Sequence, residues 1–166
     1  MTTVENAAPI PENWLWRSGP RPAGATVIFD VDGVLADAAG RQHHLDRGDW
    51  RRFFDEVGGD PPVEEVARLA ELLVADLVVV LVTGRPRRVQ TATVEWLERH
   101  GLRWDLLVMR DHGDYAGVER YKRATLHDLR ARGYDVRLAL DDDPRNHAMY
   151  LDEGVPCLYV HSGYYL

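Results

Sequence analysis

The chain is 166 residues long, a length that suits one domain, since domains run to roughly 100–200 residues. With 45% hydrophobic and 28% charged residues it has the composition of a globular protein with a core, which excludes the disordered and fibrous classes. A net charge of −7 argues against the broad basic face of proteins that grip duplex nucleic acid, so no extended duplex binding is expected, while a small local phosphate site remains compatible.

Residues 1–25 carry four prolines and lead through RSGPRPAG into the first apolar run, so they read as an arm wrapped over a domain of residues 26–166. Their start, MTTVENAAPIPENW, has no basic-then-apolar leader. The longest unbroken apolar stretch, Leu77 to Val82, is far short of the roughly 20 residues of a membrane span. A cytoplasmic protein without membrane association is therefore expected. The single cysteine, Cys157, has no partner for an internal disulfide, and its setting in GVPCLYV reads as a buried strand.

Short apolar runs then alternate with helical patterns. Thr26–Asp30, Leu77–Val82, Leu106–Met109, Val136–Leu140 and Cys157–Val160 read as five strands, none of them alternating with polar residues. Between the first two, the polar segment 37–60 reads as a short insertion, a loop plus a short helix over one end of the sheet. Pro61-Pro62 opens a helix with Val66, Leu69, Ala70 and Leu73 on one face, and Val89, Thr93, Trp96 and Leu97 mark another that Gly101 ends. A third runs from about Glu119 to Arg132 and a fourth from Pro144 to Gly154. Continuous apolar strands separated by helices predict an α/β, three-layer Rossmann-like fold with a mostly parallel five-stranded sheet covered on both faces.

In such a sheet the site lies beyond the carboxyl ends of the strands, and those ends are strongly polar. The first strand ends VIFDVDG, with Asp30 and Asp32 two apart; the second ends LVTGRP, with Thr83, Gly84 and Arg85; the fourth ends LALDDDP, with Asp141, Asp142 and Asp143. Several carboxylates at one sheet edge need a cation, and a ligand set without histidine or thiolate favours Mg²⁺. Lys122 shares a helix face with Leu126 and Leu129, which turns its ammonium toward the protein and the carboxylates. Each feature has an ordinary structural reading: Asp32-Gly33 as a turn, Asp141–Asp143 as a helix cap, Lys122 as a solvated side chain. Their coincidence at neighbouring strand ends is what those readings leave unexplained.

VIFDVDGVLAD, LVTGRP, Lys122 and LALDDD stand in the order of the four motifs of the haloacid dehalogenase-like (HAD) phosphohydrolase superfamily, which residues 26 to 143 resemble. From LVTGRP through TVEWLERHGLRWDLLVMRDHGD to VHSGYY the chain further resembles the 3′-phosphatase domain of phage-type polynucleotide kinase/phosphatases, with Arg110, Gly113 and Asp114 in the Arg-x-x-Gly-Asp turn. No G-x-x-x-x-G-K-[ST] loop is present, so no kinase half is expected. The resemblance implies a Mg²⁺-dependent phosphomonoesterase that removes 3′-phosphates from nucleic-acid ends or nucleotides. Asp30 would be the nucleophile forming an aspartyl-phosphate, and Asp32 the general acid and base. Thr83, Gly84 and Lys122 would hold the phosphate. Mg²⁺ would be held by Asp30, the Asp32 carbonyl and either Asp141 or Asp142.

Only about fifty residues separate Asp30 from Thr83, too few for a large cap domain. An open site admits a polymer end, and Arg85, Arg110, Asp114, Trp50 and Arg52 are the candidate substrate contacts, through charge pairing and base stacking. The alternatives are a HAD phosphatase for a small metabolite or 5′-nucleotide, phosphoryl transfer or dehalogenation on the same fold, a binding protein, and a non-enzymatic, phospho-accepting receiver module. Receivers place the acidic pair after the first strand; here it comes last.

Overall fold

Strands that are apolar at every position are stable only when helices cover both faces of their sheet, and this chain is built that way. The computed structural model describes residues 8–111, 114 and 116–165. Six strands, β1 (Trp14–Trp16), β2 (Ala25–Phe29), β3 (Val78–Pro86), β4 (Leu106–Arg110), β5 (Asp135–Asp141) and β6 (Cys157–Tyr159), form one sheet in the order β1-β4-β3-β2-β5-β6. All neighbours are parallel except β1, which runs antiparallel to β4.

The side-chain period of two divides each central strand between two cores. Val27, Phe29, Val79 and Leu81 face Val66 and Ala70 of α2 (Glu64–Leu72) and Trp96 and Leu97 of α3 (Gln90–Arg99). Ile28, Val78, Val80 and Val82 face Leu126 and Leu129 of α4 (Val118–Ala131) and Met149 and Tyr150 of α5 (Pro144–Asp152). Each such buried aliphatic side chain contributes about 1.5–3 kcal/mol by leaving water. Two helices per face give the expected three layers. The 37–60 segment forms a 3₁₀ helix (Ala39–Arg47) and α1 (Trp50–Asp55), capped by the Asp49 carboxylate on the Arg52 N–H, and no large cap domain is present among the described residues.

Three sequence expectations change. The arm supplies a sixth strand: Trp14 is buried, Asn13 exchanges main-chain and side-chain hydrogen bonds with Met109, and the Arg132 guanidinium lies 5.0 Å from the Trp14 ring centre. A three-residue strand between prolines has no periodicity to display, and its partner is over ninety residues away. β6 is an edge strand rather than a buried one, with Leu158 50% exposed and Cys157 half-buried; burial pushes that thiol up to about 12, which keeps it protonated and inert. In α2, Val66 and Ala70 are buried as expected, while Leu69 is exposed. No helix among the described residues is long and apolar enough to cross a membrane.

Candidate active site

Because β2 lies between β3 and β5, the three strands with polar carboxyl ends are immediate neighbours. Asp30 follows β2, Asp141 closes β5 with Asp142 after it, and Thr83-Gly84-Arg85 sit where the pairing of β3 with β4 shifts register, a bulge that re-aims the chain end. Lys122 comes in from the first turns of α4 and is only 1% exposed. Its Nζ lies 2.5 Å from Asp141 Oδ2 and 3.2 Å from Asp30 Oδ1, the oxygen that also accepts the Val31 N–H at 2.8 Å. A lysine is retained in such a place only because carboxylates surround it: burial works against its charge, but Asp141 and Asp30 hold the ammonium well above the usual lysine range.

Asp30, Asp141 and Asp142 each bring a carboxylate oxygen within 4.8 Å of the others, all three buried. Three carboxylates thus share one ammonium. Burial pushes Asp30 well above the usual carboxylate range, with Lys122 pulling it back and Asp141 and Asp142 pushing further. Burial also pushes Asp142 up to about 6, with the Ser162 hydroxyl pulling it back and the charge of Asp141 adding to the rise. The two aspartates of the pair differ in their partners. Asp141 Oδ2 takes Lys122, and its Oδ1 accepts from the Asp143 N–H at 3.0 Å and the Asn146 amide at 3.1 Å. Neither oxygen of Asp142 makes a hydrogen bond of normal geometry among the described residues, the Ser162 hydroxyl being the group close enough to draw its pKa back down. A buried carboxylate so weakly satisfied, beside two others in an all-oxygen donor set, fits a hard divalent cation. Gly33 makes room for it: at φ +82° its backbone passes so close that a Cβ there would lie 2.0 Å from Asp142 Oδ2. Asp143 does the capping foreseen for the triplet, accepting the Arg145 N–H at 2.9 Å at the start of α5.

Asp32 is held differently. Its Oδ1 accepts from Arg85 Nη2 at 2.7 Å, Arg85 Nε at 3.0 Å and Arg41 Nη2 at 2.5 Å. Burial would raise its pKa, but Arg85 and Arg41 together lower it below the usual carboxylate value. Beneath it, Asp60 pairs with Arg41 at 2.6 Å and Arg85 at 3.2 Å, and the Asp60 carbonyl accepts the Trp96 indole N–H at 2.7 Å. Arg41 and Asp60 went unnoticed in the sequence. Arg41 sits in a polar run with no periodicity, and a buried pair nineteen residues apart leaves no local signal.

Residues 24–165 match the family model described as the polynucleotide kinase PNKP phosphatase domain. The chain belongs to that family. It is accordingly a HAD-type phosphomonoesterase. Among solved structures, a chain of the Pnkp1/Rnl/Hen1 RNA repair complex superposes with a TM-score of 0.70 at 25% identity, covering 88% of this chain and 45% of that one. A second structure of a Pnkp1/Rnl/Hen1 complex gives a TM-score of 0.70 at 24% identity, with 83% and 46% covered. This chain therefore spans less than half the length of those relatives. A haloacid dehalogenase-like hydrolase from Streptococcus pneumoniae shares the fold, with a TM-score of 0.55 at 13% identity over 81% and 83% of the two chains.

In this PNKP-type phosphatase domain a cavity of about 250 Å³ opens over Asp30, Asp32 and Lys122, walled by Trp50, Phe54, Arg110 and Tyr165. Gly84 lines it, whereas Thr83 is fully buried and its hydroxyl accepts the Arg85 N–H at 3.2 Å, which leaves the hydroxyl proton to donate. Three candidate substrate contacts stand elsewhere. Arg85 is fully buried, with its guanidinium on Asp32, Asp60 and Thr93, and so underlies the site instead of walling it. Arg52 is exposed beside Asp49 at 3.6 Å, away from the cavity wall. Asp114 belongs to the turn that fixes Arg110: its carbonyl accepts from Arg110 Nη2 at 2.8 Å and its carboxylate from the Ala116 N–H at 3.0 Å. Gly113 of that turn lies outside the described residues. Sequence reasoning missed the far wall, Tyr164 and Tyr165; the Tyr164 hydroxyl donates to Asp37 at 3.0 Å and ties the C-terminal segment to the start of the 37–60 insertion.

Proposed function

We propose that this domain removes 3′-phosphates from nucleic-acid ends, with Mg²⁺ bound and through an aspartyl-phosphate on Asp30. The carrying observation is the pairing of two unlike carboxylates two residues apart: Asp30 in a carboxylate cluster with a buried lysine, Asp32 clamped by two arginines on one oxygen. The residues suit Mg²⁺ through the side chains of Asp30 and Asp142 and the main-chain carbonyl of Asp32, because both oxygens of Asp141 are already engaged, by Lys122 on one side and by Asn146 and the Asp143 N–H on the other. Bound there, the ion would offset the mutual repulsion of phosphate and nucleophile.

Asp30 attacks phosphorus, forming the carboxyl–phosphate bond as the bond to the 3′ oxygen breaks. Lys122 and the Thr83 hydroxyl, with the backbone at Gly84, hold the non-bridging oxygens as charge spreads over them. All three arginine hydrogen bonds to Asp32 fall on Oδ1, which leaves Oδ2 to exchange the proton. The arginines keep the carboxylate ionised in the free protein, and the charge of a bound phosphate raises its pKa. Oδ2 then takes up a proton, gives it to the departing 3′ oxygen and later takes one from the water that hydrolyses the acyl phosphate. Arg41 and Arg85 are positioning residues, fixing that carboxylate without touching substrate. The RNA repair complexes of the structural relatives support RNA ends as the natural substrate.

The test is a panel of 3′- and 5′-phosphorylated oligonucleotides, mononucleotides and sugar phosphates compared by kcat/KM. The 3′-phosphorylated oligonucleotide is expected to lead. A sugar phosphate or 5′-mononucleotide that beats it by about tenfold, about 1.4 kcal/mol of transition-state preference, refutes the nucleic-acid reading.

A further inference from the structure

Trp50 is 59% exposed, an unusual cost for the largest apolar side chain, and its ring runs near-parallel to Phe54, 30° apart with centres at 6.2 Å. Both rings wall the catalytic cavity on one side. On the other they wall a second, open groove of about 440 Å³ whose remaining lining is Arg51 and Arg88. Trp50 and Phe54 are thus a partition shared by two adjoining spaces.

We infer that this groove takes the nucleoside immediately upstream of the 3′-phosphorylated residue together with the phosphodiester that joins them, an inference that rests on the function proposed above. The chemistry of the groove matches that ligand in kind and place. A base has a π-face to stack on the Trp50–Phe54 pair, and stacking of this sort accepts any base. A phosphodiester needs guanidinium groups. Arg51 is free to supply one: its side chain is 88% exposed and its contact to Asp55 is a loose 3.9 Å. Arg88 is anchored at the groove by Asp55 and by donation to the Arg51 carbonyl at 3.0 Å, which braces α1 and leaves further guanidinium donors. The acidic group these arginines meet is Asp55, shared by both, while Asp49 at the start of α1 is engaged with Arg52. In a chain of net charge −7, two arginines and two stacked rings beside the catalytic cavity form a local exception to the acidic surface. The terminal nucleotide on one side of the partition and its neighbour on the other makes the enzyme a reader of chain ends, distinguishing a 3′-phosphorylated dinucleotide from a 3′-mononucleotide.

The experiment compares kcat/KM for a 3′-phosphorylated mononucleotide and the corresponding dinucleotide, in the wild type and in Arg51→Glu and Arg88→Ala. The wild type is expected to prefer the dinucleotide at least tenfold. Arg51→Glu, at an exposed position, is expected to cut that ratio to about two or less and to flatten the salt dependence of the dinucleotide reaction. Arg88→Ala is expected to do likewise, with a thermal melt to report any loosening of α1. A wild-type ratio near one, or a ratio that Arg51→Glu leaves intact, overturns the inference while the 3′-phosphatase reading stands. Hydrolysis of other phosphomonoesters with no phosphate released from either 3′-nucleotide overturns both.

Discussion

Asp142 separates the demands of folding from those of function, and Asp142→Asn sets them against each other. Its carboxylate is buried beside two other carboxylates, with no hydrogen bond of normal geometry among the described residues. A carboxyl moved from 3.8 in the unfolded chain to about 6 in the folded one disfavours folding once ionised. The folded state then binds more protons than the unfolded state between those two values, so stability falls as pH rises through that window and the loss is complete above it. The displacement corresponds to about 3 kcal/mol at pH 7. Asn keeps the shape and removes the charge. In chelator at pH 7 the variant is expected to be more stable by about 1–3 kcal/mol, a rise in Tm of about 2–4 °C for each kcal/mol in a domain of this size. Mg²⁺ should raise the Tm of the wild type, by mass action on the folded state, and raise that of the variant far less. Phosphate release should fall by more than about a hundredfold in the same preparation. Melts in chelator and in Mg²⁺, run beside the activity assay, test all of these. A variant less stable than wild type in chelator, or one that keeps the full Mg²⁺ stabilisation, refutes the assignment of Asp142 as a direct ligand.

Asp30→Asn removes the proposed nucleophile and relieves the same repulsion, so turnover should vanish while the melting temperature holds or rises; retained phosphate release in a sample free of other phosphatases would contradict it. Arg41→Ala breaks a buried network and leaves Asp60 with only the longer Arg85 contact, at a cost of up to about 3–5 kcal/mol in denaturant unfolding, and kcat should fall much more than KM rises because Arg41 acts through Asp32. Equal effects on kcat and KM would instead give Arg41 a role in binding. Trp14→Ala should cost about 3–5 kcal/mol, because β1 depends on that buried ring; a loss below 1 kcal/mol would return the arm to a dispensable strap.

The features legible in the chain alone are those that repeat along a strand or helix or fall at a strand end. Five apolar runs, the helix faces of Val66 and Ala70 or Leu126 and Leu129, and the placement of Asp30, Asp32, Thr83, Lys122 and Asp141–Asp142 all follow from local periodicity together with the rule that sites form beyond carboxyl strand ends. Tertiary structure alone decided which partner each charge takes. Asp141 and Asp142 are identical neighbours in sequence, yet the first takes Lys122 and Asn146 while the second makes no such bond among the described residues, because the chain turns from β5 into α5 there. Arg85 looked like a substrate contact on its strand end, but the bulge in β3 turns it under Asp32, where Arg41 arrives from the 37–60 insertion and Asp60 from that insertion's end. Those hydrogen bonds join residues 9 to 53 positions apart. Burial makes such a network strong and its geometry exacting, but its members have no common period, and only the assembled sheet brings them within reach of one another.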